Sequence, residues 1–280
     1  MNKLVIFIVA LMVNLSGCAS LSSFQSLIDD SLDGPMHGNL SKTYSSNEAK
    51  IILKASLDGK MITDEEKSEI VSFPKRSDFE ISIFYPDNTN SQLIISRGNN
   101  ELVTYEYREN GIQQTEQELA NQFLKVWLPS VYRETGFDYK KRISYFTERC
   151  GNDCLFDEVQ LISSDMVTGL YLREILHSQT LSEDHILQAL LISKTIESDF
   201  DMANFFEQVI ASPASEKAIL ELINIAMSEI SSSAELSRTL SNVIENRAMT
   251  QLLYDAILTA TSSINSQSER EKIRILLQKE

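Results

Sequence analysis

The sequence predicts an α+β protein: a small antiparallel β domain, then helices, then a HEAT-like α-solenoid of 34-residue helical hairpin repeats. Three observations predict it. Apolar residues alternate in short runs, broken by turn residues, between about residues 48 and 113. Helical spacing takes over from Thr115. From Ile162 onward, equivalent residues recur every 34 positions without a gap.

Ahead of these elements lies an address. Lys3 gives a positive start, and residues 4–15 are apolar except for Asn14. A membrane span needs about 20 apolar residues, so this shorter run suits the hydrophobic region of a signal peptide. Leu15-Ser16-Gly17-Cys18 then resembles the bacterial lipobox, with cleavage after Gly17 and lipid on Cys18. That pattern implies a diacylglyceryl thioether and an acylated amino terminus, enough chains for stable anchoring. Ala19, rather than Asp, follows the cysteine, which by Gram-negative analogy points to the outer membrane, facing the periplasm. Residues 1–17 are thus expected to be a signal peptide, and residues 18–47 a lipidated flexible tether. Leu21, Phe24, Leu27 and Ile28 could form one amphipathic turn, stopped by Gly34-Pro35 and Gly38.

Residues 48–113 read as the β domain. Ile51, Leu53, Ala55 and Leu57 alternate, as do Phe79, Ile81 and Ile83. Leu93-Ile94-Ile95 and Leu102-Val103-Thr104-Tyr105 are further short runs. Asp58-Gly59, Pro86-Asp87-Asn88 and Gly98-Asn99-Asn100 supply the breaks. Asp64-Glu65-Glu66 reads as a solvated turn, since calcium-loop spacing of the EF-hand type is missing.

Residues 114–161 read as linking helices. Thr115 with Glu118 resembles a capping box, and Leu119, Phe123, Val126 and Trp127 share a face. Trp127 is expected to be a core anchor, and Pro129 to kink or end the helix. Two helices, 139–149 and 155–162, flank Cys150-Gly151-Asn152-Asp153-Cys154. Three readings of this pair are open. An oxidising compartment favours a disulfide stapling a tight bend. Free thiols are the second reading. A metal site, the third, needs about two more ligands. Three residues between the cysteines is not the spacing of a thioredoxin-like redox motif.

The repeat occupies residues 162–280. Ile162, Ile196, Ile230 and Ile264 are equally spaced, as are Ser164, Ser198, Ser232 and Ser266. Gly169, Ala203 and Ser237 form a column of small residues, and Ile175, Val209, Val243 and Leu277 an aliphatic one. Ile186, Leu220, Tyr254 and Ala189, Ile223, Ile257 continue the pattern. The serines are expected to cap the first helix of each pair, and Pro213 to open a second helix. One hairpin cannot bury its own apolar face, so neighbours must stack. The tetratricopeptide signature is missing from the columns, and the final unit ends in a polar helix fit to be a cap.

Composition narrows the function classes. The chain has 25 basic and 40 acidic residues. Removing the leader with its single Lys3 leaves 24 against 40, a net charge of −16. Such a surface repels nucleic acid and anionic lipid headgroups. Motifs for nucleophilic elbows, phosphate loops or zinc peptidases are missing. His177 and His185 could join a Ser/His/Asp set assembled in space. No catalytic residue, cofactor or metal is expected.

Several segments resemble a module behind the peptidase domain of BlaR-type metallopeptidase sensor proteins. They are Asp58-Gly59-Lys60-Met61-Ile62-Thr63-Asp64, Leu128-Pro129-Ser130-Val131-Tyr132-Arg133-Glu134-Thr135-Gly136, Ile162-Ser163-Ser164-Asp165 and Ile196-Glu197-Ser198-Asp199-Phe200. The zinc-binding His-Glu-x-x-His of those sensors does not occur here, so the resemblance implies binding or scaffolding without peptidase activity. The expectation is a non-enzymatic envelope lipoprotein that binds a protein or peptide and meets the membrane through its lipid. An envelope hydrolase, with a site between the β domain and the solenoid, is the alternative.

Overall fold

The computed structural model describes residues 32–45, 49–99, 102–178 and 181–279. Gly17 and Cys18 lie outside them, as does the expected signal peptide. The chain is α+β and divides into two compact units between Arg142 and Ile143.

In the first unit, the strands are β1 (His37–Ser45), β2 (Lys50–Lys60), β3 (Ile62–Thr63), β4 (Ile70–Ser72), β5 (Ser77–Phe84), β6 (Asn90–Arg97), β7 (Thr104–Glu109) and β8 (Ile112–Gln114). Six form an antiparallel sheet in the order β1-β2-β5-β6-β7-β8, while β3 and β4 pair separately. Alternation sorts the sheet into two faces. On one, Leu53 opposes Ile81, Ile81 opposes Leu93, and Leu93 opposes Tyr107. All four are buried. The other face carries a polar ladder in which Lys54 reaches Glu80 at 3.4 Å and Gln92 donates to Glu80 at 3.0 Å. Burial pushes the Glu80 carboxyl up, but hydrogen bonds from Ser82 and Gln92 and the Lys54 charge outweigh it and hold it below its ordinary value. Asn110 and Gly111, both at positive φ, close the β7–β8 hairpin as a two-residue turn.

Helix α1 (Gln117–Thr135) packs on the apolar face, its Phe123 ring 5.3 Å from that of Tyr107. Its buried stripe is Ala120, Phe123, Leu124, Leu128 and Val131. This corrects the expected face. Val126 is 62% exposed, because Leu124, Leu128 and Val131 at i, i+4 and i+7 make the richer stripe. Trp127 is half-buried and meets Tyr85 at 6.2 Å, so it lies at the border of the core. The capping box does not form. The cap is Glu116, one residue late for Thr115, and makes no side-chain cap bond. Pro129 sits inside the helix without ending it.

A second correction concerns the tether, whose residues 37–45 form β1. This strand is a polar edge. Leu40 and Tyr44 are half-buried, and Lys42 shares their face, a charge that discourages further pairing. Few apolar residues reach the core from such an edge, so its alternation is faint. Gly38, at φ 76°, marks the register shift at its start.

Helix α2 (Tyr139–Gln160) leads into the second unit. There follow α3 (Asp165–Ser178), α4 (Glu183–Ser193), α5 (Asp199–Ala211), α6 (Glu216–Glu229), α7 (Ser233–Asn246), α8 (Gln251–Ser263) and α9 (Gln267–Leu277). Each packs on the next and on the second next, giving one row of α3, α5, α7 and α9 and another of α4, α6 and α8. First-row helices start one residue after Ser164, Ser198, Ser232 and Ser266. The last three serines accept the N–H of Asp201, Glu235 and Glu269. Ile175, Val209, Val243 and Leu277 are all buried, as are Ala203 and Ser237.

The second row departs from the expected register. Its caps Ser182, Ser215 and Thr250 are 33 and then 35 residues apart. Leu220 and Tyr254 are accordingly only half-buried, while the Ala189, Ile223 and Ile257 column stays buried. Pro213 precedes the cap of α6 instead of opening the helix. Arg247 closes the turn containing Pro213. Its guanidinium donates to the carbonyls of Ile210 at 3.2 Å, Ser212 at 2.9 Å and Ala214. Carbonyls of a helix end and a turn need such donors. Arg247→Met is expected to cost roughly 1–3 kcal/mol in chemical denaturation, through carbonyls left without partners. A loss no larger than that of an exposed surface change would contradict this role.

Candidate functional site

The second unit contains an open cleft of about 520 Å³ at the start of α3 and α5. Ser163, Ser164, Asp165, Met166, Thr195, Glu197, Ser198 and Asp201 line it. Its shape follows from helix capping. Asp165, the first residue of α3, accepts the Ser198 N–H at 2.8 Å, and Ser198 in turn accepts the Asp201 N–H at 3.2 Å. One first-row helix thereby supplies an acceptor for the start of the next helix in its row. Burial raises the Asp201 carboxyl above its ordinary value and Asp165 adds to the effect, against the pull of Ser198 and Arg173. The cleft thus presents three carboxylates and several hydroxyls, a lining suited to a cationic or hydrogen-bond-donating group.

The same tie recurs along the row. Asp199 accepts the Ser232 N–H at 2.8 Å, and Ser233 accepts the Ser266 N–H at 3.2 Å. Beside it, Arg238 reaches back to Asn204 at 3.0 Å and Glu207 at 2.7 Å. Its guanidinium also lies 5.5 Å from the Phe200 ring. The residue after each serine carries the tie, and Asp165 and Asp199 stand at equivalent places of the 34-residue period.

The first unit buries a charged cluster. Lys67 Nζ donates to Asp138 at 2.9 Å, with the two side chains 5% and 4% exposed. The ammonium also lies 5.2 Å from the Tyr132 ring. Burial raises the Tyr132 and Tyr44 hydroxyl pKa values, and Glu134 adds to the shift of Tyr44. Asp64 shapes the turn that delivers Lys67, accepting the N–H groups of Ser68 at 2.7 Å and Glu69 at 2.8 Å. Asp138 N–H in turn holds the Leu32 and Gly34 carbonyls, each at 3.0 Å. Sequence separation of 71 residues hid the pair. The Lys67 and Asp138 side chains of this cluster are almost wholly shielded from solvent.

The sulfurs of Cys150 and Cys154 lie within bonding distance, their Cα atoms 5.8 Å apart. The bend is narrower than a turn between two helices. Helical backbone continues on both sides, and Gly151 alone departs from it, at φ 81° and ψ −170°. His185 faces this break, with Nδ1 3.4 Å from Asn152 Nδ2 and Nε2 3.7 Å from Asp153 Oδ1. His177 is exposed. Among the described residues, no group of three or more His, Cys, Asp or Glu side chains is placed to hold a metal ion, and no helix is long and apolar enough to cross a membrane. Comparison of the chain with protein families, curated proteins and solved structures returns no match.

Two outcomes follow from these charges. Lys67→Met, which strands the Asp138 carboxylate in the core, is expected to cost about 3–5 kcal/mol. Lys67→Met with Asp138→Leu is expected to cost clearly less, and a double-mutant cycle showing no coupling would refute the pairing. For Asp201 the sign runs the other way from a salt-bridged acid. Its folded pKa is raised, so its contribution is fully present below 3.8 and is lost as pH rises through the folded value. Asp201→Asn should therefore gain on the parent as pH increases across that window. A stability difference that stays constant with pH would contradict it.

Proposed function

We propose that this chain is a bacterial envelope lipoprotein, cleaved after Gly17 and anchored by lipid on Cys18. Its helical unit is read as a HEAT-like α-solenoid of 34-residue hairpins that binds a protein or peptide without catalysis. The observation that carries this reading is the second-neighbour packing of α3 to α9, held by side-chain ties 33 residues apart at Asp165 to Ser198 and Asp199 to Ser232. Stacks of that kind present extended surfaces suited to segments of other proteins. The acidic cleft at the start of α3 and α5 favours a partner that offers a Lys or Arg side chain.

The resemblance to the module of BlaR-type sensors supports an accessory role in assembly or sensing at the membrane. The hydrolase alternative draws one support, the raised Asp201 carboxyl in an open cleft. Peptide-hydrolysing activity that disappears in Asp201→Asn would favour that alternative.

Crosslinked capture from membrane fractions tests the binding reading. The parent chain is expected in the membrane fraction, Cys18→Ser in the soluble one, and the parent is expected to enrich a specific partner. Glu197→Lys, at an exposed position of the cleft rim, should weaken that enrichment while leaving thermal stability unchanged. Equal recovery with both variants, or none above an unrelated lipoprotein, would overturn the proposal.

A further inference from the structure

We propose that Cys150–Cys154 is a redox-modification site for a dithiol, and that its state is coupled to His185 on α4. Cys150 is exposed and Cys154 half-buried, so a reagent can reach the bridge without the unit unfolding. Exposed disulfides are the labile ones, whereas buried structural ones resist reduction. The loop is also very short, with a sequence separation of 4, so closing it removes little freedom from the unfolded chain. Its main effect is local: it sets the backbone at Gly151, the single residue off the helix.

Gly151 stands at φ 81°, and glycine occupies positive and negative φ about equally well, so opening the bridge would free this residue to leave its present conformation. That conformation is the one in which Asn152 and Asp153 both reach His185. His185 sits in the first turn of α4, where its own N–H is held by the Ser182 cap at 3.2 Å. The Phe156 ring, 5.9 Å from the imidazole, keeps the histidine against the later part of α2. The contacts to His185 are thus made by the closed loop and loosened when the loop opens. Linkage is reciprocal: if closure favours the contacts, the contacts favour closure.

The exchange balances without any further reagent. A thiolate of the dithiol attacks Cys150 Sγ, the Cys150–Cys154 bond breaks, and Cys154 leaves and takes a proton. The second thiol of the reagent then displaces Cys150, which is also protonated, and the reagent is released as its cyclic disulfide. Two electrons pass from the dithiol to the cysteine pair.

Dithiothreitol serves as the probe. The full-length protein is equilibrated with mixtures of its reduced and oxidised forms, quenched with an alkylating reagent and weighed by mass spectrometry. The bridge is expected to be intact beforehand, with neither cysteine labelled, and to be reduced in native buffer. His185→Ala should raise the ratio of reduced to oxidised protein by about two- to tenfold, in line with the loss of modest side-chain contacts. His177→Ala, at an exposed position outside the contact, should leave the ratio unchanged. The His185 ring resonances should shift on reduction and, in Cys150→Ser/Cys154→Ser, match those of the reduced parent. Labelling of both cysteines before reduction would overturn the proposal. So would reduction only in denaturant, equal ratios for the two histidine variants, or His185 resonances indifferent to the redox state.

Discussion

A helix begins with backbone N–H groups that its own turns cannot satisfy, and the second unit depends on how those groups are closed. The last three first-row helices are capped by their serines, and the N–H of each of those serines is accepted by a side chain of the preceding first-row helix. The ties join successive first-row helices through residues 33 apart. The column Ile175, Val209, Val243 and Leu277 is buried in the same row. A polar interaction at the helix ends thus gives direction to burial, which by itself has none.

The first unit solves a different problem. A six-stranded sheet has one face to cover and two edges to protect. Helix α1 covers the face, and the polar edge strand β1 discourages further pairing. The remaining corner, where the β3–β4 hairpin meets the end of α1, is closed by charge. A lysine and an aspartate this deeply buried each offset the cost of taking the other out of water. Asp64, Lys67, Tyr132 and Asp138 are brought together there from two stretches of chain, residues 64–67 and 132–138.

Chemically, the polar surroundings differ in access. The charged cluster of the first unit is sealed and serves the fold. The cleft at α3 and α5 and the Gly151 break are both open to solvent, and both are built from groups that also hold helix ends or turns. A group bound at either place would compete with these local hydrogen bonds.

The sequence by itself determined the α+β class, the core strands β2, β5 and β6, the first-row helix starts and the cysteine pair. In each case the signal is local: alternation of period two, a serine before a helix, or two cysteines in five residues. Only the tertiary structure decided the rest. β1 was hidden because an edge strand buries little, and the α1 face because two overlapping stripes compete over one helix. The second-row register slipped because its caps are not evenly spaced. Lys67 met Asp138, and Arg247 met the Ile210 to Ala214 turn, through folding alone. A charge finds its partner by distance in space, and residues far apart in the chain leave no periodic trace of that distance.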